Sequence, residues 1–348
     1  MWISLAQKEC CRKKGTILIN AFWILFILLL VVSAFAWRIS LELKISKIFT
    51  SRLKALSSAK AGVYWAGYVK KNLDNSPAYD SLNDTWAGKE NNDVFKDKEV
   101  EETIVNIRYL NHYDTEGNPV YYYGLIDEER KINLNTKDLN ALRMFVVNLM
   151  DIINRGGQTI LTSDIIEAII DWRDKDEITP EGETENDYYG YINRNGEFKI
   201  LEELLLLKGM DKEKFNILQK YFTIYGNGKI NINTAEEKVL SAIVSVFHSV
   251  PQIAPYLDRV VEEIIAFRPF SSAQGLFNLP VIREIVSTLP EEIKDALFSS
   301  LSVIIGDWIT FTSTVFQVNI EAKTERVRKT VRTFFSSPEG KIIYWNEN

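Results

Sequence analysis

Seven carboxylates fall within the fourteen positions from 174 to 187: Asp174, Asp176, Glu177, Glu181, Glu183, Glu185 and Asp187. Like charges at this density repel, and two readings of the run follow. Acidic runs usually form solvated loops. The second reading is a hard-cation site, because calcium takes about six to eight oxygens from carboxylates, amide carbonyls and backbone, and a flexible acidic loop can wrap them around it. Asp174 and Asp176 have the alternate spacing used in calcium loops, and Gly182 allows a turn before Glu185 and Asp187. The pattern of an EF-hand is absent.

Other chemistry has little material. His112 and His248 are far apart, with no ligand-like neighbours. Neither a Ser-His-Asp site nor a His-Glu-x-x-His zinc site can be assembled from them, so the chain reads as non-enzymatic. Cys10 and Cys11 both precede a long apolar run, which leaves the rest of the chain without a disulfide or thiolate site. A net charge of -6 argues against a backbone-tracking nucleic-acid surface. An apolar share of 46% with 25% charged residues is the composition of a folded protein.

The acidic run interrupts a repeat. KINLNT from Lys131 returns as KININT from Lys229, an offset of 98. IIEAIIDWR from Ile165 returns as VVEEIIAFR from Val260, an offset of 95, and FKILEEL from Phe198 returns as FSSAQGL from Phe270, an offset of 72. Three matches in one order imply two copies of a helical unit. Asn135 and Thr136, or Asn233 and Thr234, are expected to cap the first helix of each copy. Between the arginine and the phenylalanine the second copy has Pro269 alone, whereas the first has 24 residues that hold the acids.

Strand-like stretches flank this helical block. Residues 102–109 and 119–126 precede it, and 308–322, 326–335 and 341–345 follow it, all rich in β-branched and aromatic side chains. Turn signals separate neighbours at Glu116-Gly117-Asn118-Pro119 and Ser337-Pro338-Glu339-Gly340. Strands on both sides imply one antiparallel sheet with a domain inserted into it. The polar residues 74–98 read as a loop before the first strand.

From Ile17 to Trp37 no charge occurs, which is long enough to cross a membrane as a helix. A signal anchor fits, and so does a cleaved secretory signal ending at Ala34-Phe35-Ala36. A third reading rests on the boundary, a basic leader ending Arg12-Lys13-Lys14-Gly15 before a helix that begins at Thr16. No proline follows up to Leu73. Apolar residues keep helical spacing at Leu43, Ile48, Leu53, Leu56 and Val63, and Ala59, Ala61, Gly62, Ala66 and Gly67 make a small-residue face.

This boundary resembles the class III signal of type IV pilin-like proteins, cut by a prepilin peptidase after the glycine. Asp171-Trp172-Arg173-Asp174-Lys175-Asp176, Gly182, Glu185 and Tyr188-Tyr189 resemble a string found in the K-type minor pseudopilins of type II secretion. Asn195–Phe198, Glu202–Leu205, Lys208–Met210 and Tyr225–Ala235 continue the likeness. The resemblance implies an α+β pilin fold: a leader at 1–15, a membrane and spine helix at 16–73 and sheet at 74–128. An α domain inserted at 129–305, with repeats at about 131–226 and 229–300, precedes the rest of the sheet at 306–348. It implies a single-pass inner-membrane protein with a periplasmic head that starts and caps a pseudopilus. Gly15 and Thr16 would flank the cut, with the Thr16 amine methylated.

Most family members carry Glu five residues into the mature chain. Asn20 stands there, as suits a tip subunit with no neighbour above. Calcium is implied as cofactor, on Asp174, Asp176, Glu185 and Asp187. Implied partners are the other minor pseudopilins, the major pseudopilin, the prepilin peptidase and the inner-membrane assembly platform. Three rivals remain, a minor pilin of a type IV pilus, a membrane-anchored DNA receptor of helix-hairpin-helix type and an envelope hydrolase with an acidic site. Against the second, residues 239–260 contain no glycine for a phosphate-binding hairpin.

Overall fold

The computed structural model describes residues 3–73, 78–155, 157, 159–179, 182, 184–190 and 194–347, with backbone alone for 3–15, 186, 187, 292 and 296. Helix α1 runs from Ile3 to Asn72. It passes through Gly15 instead of starting at Thr16. The leader has no proline, and one glycine inside a helix costs only about 1 kcal/mol. Every side chain from Thr16 to Thr50 is exposed, including the whole apolar run. That run would reach ~32 Å at a rise of 1.5 Å per residue, which suits a single-pass membrane anchor.

Higher up, α1 packs on a sheet through a narrow stripe. Ala55, Ala59, Val63, Ala66 and Val69 are fully buried at helical spacing, with Gly62 beside Val105 and Ile320 and Gly67 beside Phe335. Leu43, Ile48 and Leu53, expected on the apolar stripe, stay exposed, as does Ala61. Residues below Lys54 have no sheet to cover them, since Lys54 already meets Glu102 at the sheet's base. Where the sheet does cover the helix, the close approach selects small side chains.

Strands β1 (Lys98–Val100), β2 (Thr103–Tyr113), β3 (Pro119–Tyr123) and β4 (Ile126–Asp127) come next. The preceding stretch, expected as a polar loop, puts Trp86 and Phe95 fully into the core, with Trp86 edge-on to Phe316 at 4.8 Å. The insert follows: β5 (Ile132–Asn133), α2 (Leu139–Asn154), α3 (Ser163–Arg173), α4 (Glu185–Tyr189), α5 (Lys212–Leu218) and β6 (Phe222–Thr223). Its second half comprises β7 (Ile230–Asn231), α6 (Glu237–Val244), α7 (Leu257–Phe267), α8 (Ala273–Phe277), α9 (Pro280–Thr288), α10 (Glu291–Asp307) and β8 (Ile309–Thr310). Strands β9 (Val315–Lys323), β10 (Arg328–Ser336) and β11 (Lys341–Glu347) end the chain.

The flanking strands form one antiparallel sheet in the order β1-β2-β9-β10-β11, with β3 on β2 and β4 on β9. The insert and the sheet keep separate hydrophobic cores. Each half of the insert opens and closes on a parallel strand pair, β5 with β6 and β7 with β8.

The two matched phrases make matched bonds. Asn135 donates to Phe198 O and accepts from Phe198 N, both at 2.9 Å, and Asn233 does the same with Phe270 at 2.8 and 2.7 Å. Arg173 reaches the carbonyls of Leu134 and Thr136, and Arg268 those of Asn233 and Ala235. The expectation that these residues cap the helices is therefore not met. Asp138 caps α2, accepting from Ala141 N at 2.9 Å, and Glu236 precedes α6 without a side-chain cap bond. The phrase spends its side chains pinning the third phrase instead, a longer-range bond that the helix start cannot supply.

Candidate metal centre

Helix α3 delivers the acids. Thr162 caps its start by accepting from Ile165 N, and its last turn carries Asp171, with Asp174 just beyond as the C-terminal cap. Trp172 stacks on Phe198 at 5.6 Å, and Gly196 N donates to Trp172 O, so the far end of the acidic loop is tied back to the same helix. The loop crosses itself where Ile178 bridges Thr184, Gly182 turns with φ of 86°, and Glu185 then starts α4.

Asp171, Asp174 and Glu185 each bring one carboxylate oxygen to a common place, all within 4.8 Å of one another. Oxygens bound to one calcium ion at 2.3–2.6 Å can lie no more than about 5 Å apart, so this spacing fits a single ion. Asp171 and Glu185 are buried, and Asp174 Oδ1 is buried with no hydrogen-bond partner among the described residues. Tyr189 O–H donates to Asp171 Oδ2 at 2.7 Å, fixing that carboxylate's orientation.

The electrostatics point the same way. A helix C-terminus carries partial negative charge and disfavours acids. Arg173, on the same turn, spends its guanidinium on backbone carbonyls, and Arg143 pairs with Glu167. Burial, then the charges of Asp176, Glu185 and Asp171, push the Asp174 carboxyl up to about 7. Burial also raises Asp171, against the lowering effect of the Tyr189 hydrogen bond. A divalent cation would relieve all three, and a hard, carboxylate-only donor set suits calcium or magnesium over zinc.

Of the residues expected from sequence, Asp174 and Glu185 come together. Asp176 is exposed, with Oδ1 accepting from Ile178 N at 3.0 Å, and reaches the centre through its charge. The Asp187 side chain lies outside the described residues. Asp171 was not among the expected ligands. Its signal was available, since it sits three residues before Asp174, next to the buried Trp172. Thr16 and Asn20 are exposed on α1, with Gly15 in the helix.

Residues 131–227, the first copy of the repeat with its acidic loop, match the family model for type II secretion system protein K. No curated protein sequence gives a significant match. A chain in the crystal structure of the GspK-GspI-GspJ complex from the enterotoxigenic Escherichia coli type 2 secretion system shares the fold. It has a TM-score of 0.60 at 12% identity, over 87% of this chain and 99% of that one. The first repeat thus carries the domain of type II secretion system protein K, set in a fold shared with a chain of that complex and behind one apolar helix.

Proposed function

We propose that this chain is a K-type minor pseudopilin of type II secretion that initiates a short periplasmic pseudopilus and occupies its tip. The observation that carries the reading is where the insert is rooted. Lys70, near the end of α1 farthest from the apolar run, pairs with Asp80 at 2.6 Å, and Asp80 accepts from Ser313 N beside Asp127 and Asn231. The insert is thus rooted beside the upper end of the spine, where a further subunit would have to stack. Asn20 agrees with that position. A carboxylate without a partner in a bilayer core costs several kcal/mol, and a subunit with no neighbour above has no use for one.

In this reading the prepilin peptidase cuts after Gly15, and the new Thr16 amine is methylated. The assembly platform and the major pseudopilin lie below in the inner membrane. GspI and GspJ accompany GspK in the matched complex, and minor pseudopilins of those two kinds are the partners proposed here. Calcium is held by Asp171, Asp174 and Glu185, with Asp176 and Asp187 completing the charge around it. Its chemistry is structural: it neutralises acids that crowd the end of α3. Amino-terminal sequencing of the mature protein should read from Thr16, and a start at Met1 or Trp37 overturns the processing. Gold label on the insert should mark one end of isolated filaments, and label along their length overturns the tip assignment.

A further inference from the structure

A second group of acids, apart from the metal centre, lies where the sheet meets the insert. Asp127, Glu128 and Glu129 lead from β4 into the insert and are at most 2% exposed, and Asp80 joins them at 3%. Two ammonium groups face these four carboxylates. Lys70 Nζ lies 2.6 Å from Asp80, and Lys131 Nζ 2.6 Å from Glu128, which also accepts from Thr223 Oγ1. Arg130 turns to Glu236 at 3.2 Å, and Arg268 to backbone carbonyls. Tyr225 beside Glu128 and Tyr109 beside Arg130 are both raised by burial and stay protonated through neutral pH.

Asp127 and Glu129 are left with uncharged donors. Asp127 Oδ2 accepts from Ser313 Oγ at 2.7 Å, Asn231 Nδ2 at 3.2 Å and Thr234 Oγ1, while Oδ1 accepts from Glu129 N at 2.8 Å. Glu129 accepts from Thr314 N at 3.1 Å, Asn227 N at 3.2 Å and Thr314 Oγ1. These donors come from both lobes. Three of them are hydroxyls, which can turn from donating to accepting when a carboxyl gains a proton. Both protonation states therefore keep their partners without a side chain moving, which a lysine or arginine in the same place would forbid.

We propose that this junction is a proton-dependent latch that seats the helical insert on the sheet while Asp127 and Glu129 are protonated and loosens as they ionise. Burial, assisted by the Asp80 charge, pushes Asp127 up to about 6, and burial, assisted by Asp127, pushes Glu129 up to about 7. An opened junction returns both carboxyls to water, at ordinary values of about 4. The seated state then binds protons more tightly than the open one. Its advantage is full below about pH 4 and is lost as pH rises through 6 and then 7. Between pH 6 and pH 8 those two values raise the opening constant about 20-fold.

Hydrogen exchange on the full mature chain in detergent, corrected for intrinsic rates, reads this directly. The amides of Ile232, Ser313 and Thr314 should lose protection about 20-fold from pH 6 to pH 8, while those of Val318 and Ile320 in the sheet hold theirs. Asp127→Asn with Glu129→Gln should flatten the response to within twofold. Unchanged junction protection in the wild type, or an undiminished pH response in the double variant, overturns the latch. Should the double variant not fold, infrared spectra of the wild type decide. A buried protonated-carboxyl band at pH 5.5 that titrates away by pH 8, and that Glu129→Gln weakens, is expected, and its absence overturns the proposal.

Discussion

Alanine at Gly67 sets two effects of similar size against each other. The residue lies well inside α1, where replacing glycine by alanine stabilises a helix by about 1 kcal/mol. A Cβ there would stand 2.5 Å from Phe335 Cζ and 3.1 Å from both Cε atoms, against an optimum of about 3.5–4.0 Å between carbons. Phe335 is 4% exposed in the sheet core, so its ring cannot yield without opening packed contacts. Overpacking of that kind costs about 1–3 kcal/mol. The collision wins, and Gly67→Ala should be about 1 kcal/mol less stable than wild type. At Gly62 the nearest atom is Val105 Cγ1 at 3.1 Å, the end of a smaller side chain, with Ile320 no closer than 3.5 Å. There the helix gain should cancel or exceed the crowding. Urea unfolding of the mature chain in detergent gives both values from the midpoints. Phe335→Leu supplies the control, because Gly67→Ala made on that background should lose most of its penalty. A Gly67→Ala protein no less stable than wild type, or the same penalty with Leu at 335, would refute a spine seated on the sheet through this contact.

Two further outcomes are expected. Calcium at about a hundred times its dissociation constant should stabilise the head by about 2.7 kcal/mol, with the melting temperature falling again on chelation. Asp174→Asn together with Glu185→Gln should abolish the response, and a head whose melting ignores calcium would remove the metal assignment. Asn135→Ala strips the N–H and carbonyl of Phe198 of their partner, and Asn233→Ala does so at Phe270, each costing about 1–3 kcal/mol in thermal or urea unfolding. The cost should be larger at the fully buried Asn233, and a neutral Asn233→Ala would break the equivalence of the two phrases.

Periodicity and repetition made much of the fold legible. Alternating β-branched runs at both flanks gave the sheet, because such runs bury one face whatever lies between them. The phrases at Lys131 and Lys229 gave the duplication, although their asparagines bond to Phe198 and Phe270 instead of capping α2 and α6. Burial set by tertiary contact was not legible. Trp86 and Phe95 lie in a stretch polar enough to read as loop, yet they fill the core under β9. Leu43, Ile48 and Leu53 keep the helical period and remain bare, since period alone does not say how far down a sheet extends. At the candidate metal centre the acidic run pointed to Asp174 and Glu185. Asp171 required knowing that α3 ends where the loop returns. Asp127 and Glu129 gave no signal at all, because their partners at 227–234 and 313–314 lie about a hundred or more residues away.

The two repeats differ in how they use one asparagine. Asn133 and Asn231 hold the same place, each accepting from the amide two residues on, at 2.7 and 3.0 Å. Their amide groups then diverge. Asn133 donates to Tyr225 O at 2.8 Å, the exit of its own repeat, whereas Asn231 donates to Ser313, Asp127 and Asp80 O, all outside its repeat. Through this asparagine the first repeat closes on itself, and its acidic loop stands between its second and third phrases. The second repeat is committed to the sheet at its first phrase and lengthens at its far end instead, adding α10 before β8. Polar contacts lead from the spine to the insert through Lys70, Asp80, Ser313, Asp127 and Asn231, and none of the candidate metal ligands lies on that route. Chelation should accordingly loosen the acidic loop and α4 while the second repeat stays seated. The latch at Asp127 and Glu129 should respond to pH with or without the ion.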